Sequence, residues 1–478
     1  MAVPSVEDSV TRLILSRFPY APTNGQRAAC AAMAHFLFNQ NPRSLFLLKG
    51  YAGTGKTSIV SALIQSLEYM RVKPLLMAPT GRAAKVLSNY SAHVAHTIHK
   101  RIYVTMRDAT GRLHTARAVN KHTHTLFIVD EASMIGLENE TSRHSLLDDL
   151  INYVYSGQHC RLMLIGDSAQ LPPVGQSESA ALDETYLQSA FEVEVTSHEL
   201  TEVVRQHKTS GILYNATALR NQIATMHVSD EATMPLFHTG GFTDIRSISG
   251  SELSEVLYDE YSRCTPDEVA IVCRSNKRAN LFNQGIRNTI LFREQEVNAG
   301  DNLMVVKNNY YWLDEKSTIG FVANGDIVEV QSVRNVEELY GFRFADATLR
   351  FVDYTDEPPL DCKLLLYTLT AEAPALTAEQ SNTLFNNIMQ DYAEISSQAE
   401  RMNEMRRNPY FNALQVKFSY ALTCHKTQGG QWRSIVIDQG YIPDLIYDRD
   451  YLRWLYTAVT RATEHVYLLD FTPDTLAE

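Results

Sequence analysis

The sequence predicts an α/β protein of two parallel-sheet domains, the second interrupted by a small inserted β-barrel and helices. Three observations carry this. Short, continuous apolar runs alternate with helical stretches over the first 200 residues, the same rhythm resumes beyond residue 200, and residues 300–370 break it with alternating, turn-rich segments. Strands buried on both faces read as unbroken apolar runs, the pattern of a parallel sheet covered by helices.

Residues 1–22 read as a leader with one helix. SLFLLKG (44–50) is a strand followed by a helix from Lys56; PLLMAPT (74–80) is followed by the helical GRAAKVL (81–87). TLFIVDE (125–131) precedes a helix near 143–155, and RLMLIGD (161–167) another near 178–190. Between them, RIYVTMRDATGRLHTARAVN (101–120) alternates, turns at Asp108–Gly111 and alternates again, as a β-hairpin insert does. Ile102, Val104, Met106 and Leu113 give that hairpin an apolar side.

The second series contains EVAIVCRSN (268–276), QVKFSYALT (415–423), SIVIDQ (434–439) and HVYLLD (465–470) as strands. Residues 300–370 carry Asn and Gly turns (Asn308–Asn309, Asn324–Gly325) and read as a small barrel. Residues 376–410 read as helix, ending before Pro409. The expected division is a first domain over 23–200 with the hairpin at 101–120. The second domain is made of 201–298 and 412–478, and an inserted domain spans 299–411.

Composition narrows the function classes. With 45% hydrophobic and 21% charged residues, 478 residues supply several ordinary globular cores. No apolar run reaches the roughly 18 residues of a membrane span, and the N-terminus lacks the apolar core of a signal peptide. The six cysteines are scattered with no metal-ligand spacing, as expected of free thiols in the cytoplasm. A net charge of −12 weighs mildly against nucleic acid. A protein that releases its track every cycle needs only a local basic or polar path.

Gly50-Tyr51-Ala52-Gly53-Thr54-Gly55-Lys56-Thr57 fits the G-x-x-x-x-G-K-[ST] phosphate loop and sits between a strand and a helix, where that motif works. Its backbone N–H groups wrap phosphates, Lys56 reaches the β/γ oxygens, and Thr57 offers a hydroxyl to Mg²⁺. The acids of Asp130-Glu131, ending a strand of the same sheet, suit holding Mg²⁺ through water and orienting the attacking water. Gln26, in Thr23-Asn-Gly-Gln26, fits a capping box and also an adenine-reading amide.

DEASM (130–134), GDSAQLPPVG (166–175), LTEVVRQ (200–206), YALTCHKTQGG (420–430) and YTAVTRA (456–462), with TGRAAKVL (80–87) and AHTIHK (95–100), resemble the ordered motifs of superfamily 1 helicases. The resemblance runs from Gln26 to Ala462 and is greatest to the superfamily 1B branch of RecD, the phage Dda helicase and the PIF helicases. It implies two RecA-like domains of the P-loop NTPase class with ATP between them, and 5′-to-3′ movement on single-stranded DNA. It also implies that Gln170 senses the γ-phosphate and that Arg205 and Arg461 reach it from the second domain. Pro79, Thr80, His96, Thr97 and His99, with Thr423, His425 and Lys426, match DNA-facing positions. Two departures stand out. Gly429-Gly430-Gln431-Trp432 replaces the common Gly-Ser-Glu-Phe, leaving Gln431 as the ribose contact, and the extra N-terminal domain of larger RecD-type proteins is not expected here. The 300–370 segment resembles the SH3-like insertion of the branch.

The expected activity is therefore ATP-dependent unwinding of duplex DNA, with ATP and Mg²⁺ as cofactors. The expected partners are single-stranded DNA, duplex junctions and the single-stranded-DNA-binding, replication or repair proteins that share them, with no membrane. A translocase that remodels protein–DNA complexes without strand separation is the alternative, and the hairpin favours unwinding. A GTPase fits poorly, since Asn276-Lys277-Arg278-Ala279 lacks the aspartate of a guanine-reading N-K-x-D. A purely structural DNA-binding role leaves Lys56, Glu131 and Arg461 unused.

Overall fold

The computed structural model describes residues 5–107, 113–137, 145–203, 210–226, 234–313, 317, 319–441 and 447–477. The first domain is built on β1 (Ser44–Gly50), β2 (Lys73–Ala78), β3 (Ala95–Thr97), β4 (Tyr103–Arg107), β5 (Leu113–Arg117), β6 (Thr125–Val129), β7 (Arg161–Gly166) and β8 (Glu194–Leu200). Six of these form a sheet in the order β3-β2-β6-β7-β1-β8, every pair parallel. Its continuous apolar runs have a plain cause. Along β1, Phe46 and Leu48 pack among helices Asn24–Phe38, Lys56–Met70 and Gly81–Ser91, while Leu45 and Leu47 pack on the other face against helices Leu146–Tyr155 and Glu184–Phe191. Helix Val6–Leu15 joins the first of these cores through Val10 and Ile14.

β4 and β5 pair antiparallel as the expected hairpin. Tyr103 at its base donates to Asp149 (2.6 Å), and Arg117 lies 3.5 Å from the same carboxylate, so helix Leu146–Tyr155 anchors both strands. One detail differs from expectation. Ile102 is fully buried at the end of helix Ile98–Ile102 and lends the hairpin no apolar surface, whereas Val104 is exposed. The side chains of Met106 and Leu113 lie outside the described residues.

The second half adds β9 (Phe237–His238), β10 (Ile245–Ile248), β11 (Val269–Cys273), β12 (Asn302–Val305), β13 (Ile327–Leu339), β14 (Phe342–Phe351), β15 (Leu360–Leu365) and β16 (Leu414–Phe418). It ends with β17 (Ala421–Thr423), β18 (Trp432–Asp438), β19 (Ala462–Leu469) and β20 (Leu476–Ala477). A second parallel sheet has the order β10-β19-β18-β11-β17, and β9 pairs with β20 apart from it. β12 to β16 close into a barrel.

This barrel corrects the expected partition of QVKFSYALT. Its first half, with the preceding Leu414 and with Val416 and Phe418 turned inward, is the closing barrel strand. It runs antiparallel to β12 (Leu303↔Phe418) and parallel to β15 (Leu364↔Leu414). Only Ala421–Thr423 enters the second sheet, beside β11. Tyr420 sits at the change of direction. Its hydroxyl accepts from Arg293 and from the Asn302 N–H and donates to Asp301, a fully buried acid paired with Arg287 (3.0 Å) and Arg293 (2.7 Å). The helical segment is a pair, Ala378–Gln390 and Gln398–Arg407, packed through Leu384, Ile388 and Met405 on Phe342, Phe344 and Leu365 of the barrel. Among the described residues no helix is long and apolar enough to cross a membrane.

Candidate nucleotide and nucleic-acid site

The carboxyl edge of the first sheet carries the expected residues side by side. The phosphate loop follows β1, Asp130-Glu131 follow β6, Asp167 to Gln170 follow β7, Pro79-Thr80 follow β2, and His96-Thr97 end β3. Ligands of open α/β sheets gather at this edge because loops there can be shaped without disturbing the core.

Gly53 (φ +76°) and Gly55 (φ +84°) take left-handed conformations that a side chain disfavours, curling the loop around the start of helix Lys56–Met70. The free N–H groups and dipole of that helix end suit an anion. Lys56 Nζ donates to the loop carbonyls of Gly50 (2.5 Å) and Tyr51 (3.1 Å), which folds its charge back over the cradle. Gln26 is fully buried. Its Oε1 caps its own helix at the Thr23 N–H (3.1 Å), and its Nε2 donates to the Thr54 carbonyl (3.0 Å). The capping role is thus the one this geometry carries, joined to a hold on the phosphate loop.

Asp130 accepts from the Tyr90 hydroxyl (2.5 Å) and the Glu131 N–H (2.8 Å). Glu131 itself stands in a left-handed conformation (φ +52°), which turns its side chain off the strand line toward the second domain. Burial raises its carboxyl pKa above the ordinary value, opposed chiefly by Arg461. No cluster of three or more His, Cys, Asp or Glu among the described residues is arranged to hold a metal. A single carboxylate (Asp130) and an exposed hydroxyl (Thr57) are the hard oxygen donors that Mg²⁺ takes together with water and phosphate. The residues present fit that ion.

The second domain closes on this edge at several points. Arg461, buried, places Nη1 3.9 Å from Glu131 Oε1 and is held by the carbonyls of Thr457 (3.1 Å) and Gly430 (3.3 Å). Tyr456 accepts from the Ala52 N–H of the phosphate loop (2.8 Å) and donates to Asp167 (2.6 Å). Thr457 and Gln428 grip the N–H and carbonyl of Leu171 (2.9 and 2.6 Å), and Arg449 and Arg453 pair with Glu178 (2.6 Å each). Gln170, beneath these contacts, is buried with its Oε1 lacking a partner. Arg82 stacks over Trp432, 3.9 Å from the ring centroid, and donates to the Gln431 carbonyl (3.0 Å). Gln431 therefore meets the first domain through its backbone, with its side chain exposed. Arg205 lies outside the described residues. Sequence reasoning passed over Tyr456, Thr457, Gln428, Arg82 and Asp167. All five lie inside the motifs it quoted, and the available signal was their fixed spacing from Arg461, Lys56 and Gln170.

Of the DNA-facing candidates, Thr80 and Thr97 cap helices, accepting from the N–H groups of Ala83 and Lys100 (3.2 Å each). Thr423 also stands at a helix start, without a side-chain cap. Thr97 and Ala78 pair across β2 and β3, and Thr423 and Cys273 across β11 and β17, so each set sits at a carboxyl strand edge. Burial, then Arg101 and Lys100, lowers the His96 pKa to about 4, and burial also lowers His99 and His425. Burial, then Lys417, brings Lys426 down to about 8. The barrel borders this ground. Ile319, Phe321, Asp326 and Tyr354 line a cavity of about 20 Å³ with His96, Thr97 and Lys100, and Lys85 pairs with Asp353 (3.1 Å).

A phosphate loop and paired acids on one parallel sheet, covered by an arginine from a second, define a P-loop NTPase of two RecA-like domains. Comparison with known proteins specifies the kind. The family described as an AAA domain matches residues 22–238, and that described as a UvrD-like helicase C-terminal domain matches residues 418–469. The ATP-dependent RecD2 DNA helicase of Deinococcus radiodurans is 27% identical over 331 residues, covering 67% of this chain and 42% of that protein. The ATP-dependent DNA helicase Pif1 of Psychrobacter is 22% identical over 434 residues, covering 83% of this chain and 63% of that protein. The chain thus spans less than half of the first and under two thirds of the second. A Bacteroides Pif1 helicase solved in complex with ADP-AlF3 and ssDNA aligns over 96% of this chain and 95% of its own at 15% identity, with a TM-score of 0.47. In these matches the chain resembles the RecD2 and Pif1 helicases.

Proposed function

We propose that the protein is an ATP-dependent DNA helicase that moves 5′-to-3′ on single-stranded DNA and separates duplex. The observation that carries this is Arg461 standing 3.9 Å from Glu131 across the domain boundary. Phosphoryl transfer spreads charge over the equatorial oxygens, and a guanidinium from a mobile domain stabilises it only when the cleft is closed. Hydrolysis is thereby tied to domain motion. Lys56 and the loop hold the phosphates, and Thr57 and Asp130 hold Mg²⁺, the latter through water. Glu131 orients the attacking water, Gln170 senses the γ-phosphate, and Arg205 adds a second cation. Gln26 ties the adenine-side helix to the loop, and Gln431 lies toward the ribose. Pro79, Thr80, His96, Thr97 and His99 on one domain, and Thr423, His425 and Lys426 on the other, form the single-strand track. The domain division over 23–200, 201–298 with 412–478, and 299–411 belongs to the same proposal, as does action in the cytoplasm alongside DNA replication, recombination and repair proteins.

The deciding experiment measures ATP hydrolysis with and without single-stranded DNA, then unwinding of duplexes bearing only a 5′ or only a 3′ tail. Expected are DNA-stimulated hydrolysis, abolished by Lys56→Ala, and unwinding of the 5′-tailed substrate alone. Stimulated hydrolysis with neither duplex opened would favour the translocase reading. Near-normal turnover in Lys56→Ala would remove the site assignment.

A further inference from the structure

We propose that Tyr456 is a positioning residue that couples the phosphate loop to the γ-phosphate sensor and the catalytic arginine, through two hydrogen bonds formed only when the domains are closed. The inference rests on the motor reading above and assigns a role that reading leaves empty. Tyr456 lies on helix Arg449–Val459 of the second domain and is 1% exposed. Its hydroxyl nevertheless bonds only to the first domain: it accepts from Ala52 N–H and donates to Asp167 Oδ2. Burial, with the Asp167 charge beside it, holds the phenol well above its ordinary pKa, so it keeps the proton it donates.

Both partners are parts of the nucleotide machinery. Ala52 is the third residue of the Gly50–Thr57 loop. Asp167 shapes the turn that presents Gln170: its Oδ1 accepts from Ala169 N–H (2.9 Å) and its carbonyl from Gln170 N–H (3.3 Å). On the other side, Arg461 Nε donates to the carbonyl of Thr457, the next residue along. A shift of the phosphate loop on losing nucleotide therefore reaches Arg461 through one side chain and one turn of backbone. In an open cleft, Ala52 N–H and Asp167 would find water. In the closed cleft the phenol is what satisfies Ala52 N–H and Asp167 Oδ2, so removing it penalises closure and not nucleotide binding by the first domain.

The test compares wild type, Tyr456→Phe, Asp167→Asn and the double variant. Asp167→Asn keeps side-chain size and the bond from Ala169 while turning the acceptor that faces Tyr456 into a donor. Measured are kcat and KM for ATP on saturating single-stranded DNA, ADP affinity, and compaction by small-angle X-ray scattering with ADP and aluminium fluoride. Each single variant should lose about 10-fold in kcat or more, the effect of a buried group left unpaired, and should compact less, with ADP affinity essentially unchanged. The double variant should be no worse than the worse single one, since both changes break one link. Should Tyr456→Phe fail to fold, Asp167→Asn decides by the same split of kcat from ADP affinity. A wild-type motor whose Tyr456→Phe variant turns over and compacts normally, or losses that multiply in the double variant, would overturn this inference alone. A wild-type chain without DNA-stimulated hydrolysis would overturn the motor reading and this inference with it.

Discussion

Glu131 and Lys426 show how burial sets the chemistry of single residues. Burial raises the Glu131 pKa above its ordinary value and Arg461 is the chief influence opposing that rise, the balance expected of a group that must take up and release a proton. Glu131→Gln should therefore retain Mg²⁺-nucleotide through Asp130 while turnover falls by ~10²-fold or more. Equal loss of binding, read by nucleotide titration, would make the residue structural. Arg461→Ala should lower kcat ~10³-fold with a far smaller change in ATP affinity, because its contact matters at the transition state. Lys426, with a pKa lowered to about 8, is charged below that pH and neutral above it. A bound phosphate would favour the charged form, so DNA affinity should weaken as pH rises through 8, and Lys426→Arg should flatten that dependence. Fluorescence titration at pH 7 and 9 reads it, and an unchanged slope in the Arg variant would place DNA elsewhere. His96, lowered to about 4, is neutral throughout that range, so a phosphate contact from it would be an uncharged hydrogen bond. Glu131 was named from its place at a strand end behind the phosphate loop, and Arg461, His96 and Lys426 from the resemblance to superfamily 1 helicases. The sequence could not reveal that the imidazole of His96 is uncharged, since the causes, burial and Arg101, arise from tertiary packing.

The elements divide in the same way. The strands of the first sheet were legible because both faces are buried and the runs are unbroken. The exceptions are β3, Ala95–Thr97, too short to show a pattern, and β8, Glu194–Leu200, whose polar composition reflects an edge position beside β1 alone. The barrel was legible in β12 to β15 but not in β16. One run of sequence, Leu414 to Thr423, serves two sheets, and local patterning holds no mark of where the chain crosses between them. The β4–β5 hairpin was legible from its turn and alternation, and its anchoring by Asp149 was not. That anchoring also shapes the test of its role. Replacing residues 104–116 with a short Gly-Ser turn keeps Tyr103 and Arg117 on Asp149, so the fold should hold. Unwinding should collapse while DNA-stimulated hydrolysis stays within about 2-fold, because opening a base pair costs only ~1–2 kcal/mol and needs a wedge more than extra energy. Unwinding that survives the replacement would move the wedge to the barrel.

At the scale of the molecule, the site is a contact surface. Arg461–Glu131, Tyr456–Ala52, Thr457–Leu171, Arg453–Glu178 and Arg82–Trp432 all join the second domain to the first. A net charge of −12 coexists with a DNA track only if that track is local, so affinity for single-stranded DNA should fall steeply between low and physiological salt. A flat salt dependence would assign the affinity to stacking. The whole-molecule arrangement also bears on how the chain comes to be made. The first sheet is complete once residue 200 is reached, and every strand in it lies within 157 residues of the first, from Ser44 to Leu200. In the second sheet β10 and β11 have no partners until β17, β18 and β19 arrive some 150 to 220 residues later, and the barrel stays open until β16. On the ribosome, the first domain can therefore fold while the second is still being synthesised. Parallel pairing across long separations is slow and leaves bare strand edges meanwhile, so the half of the protein that carries Arg461 is the half most dependent on protection during its birth.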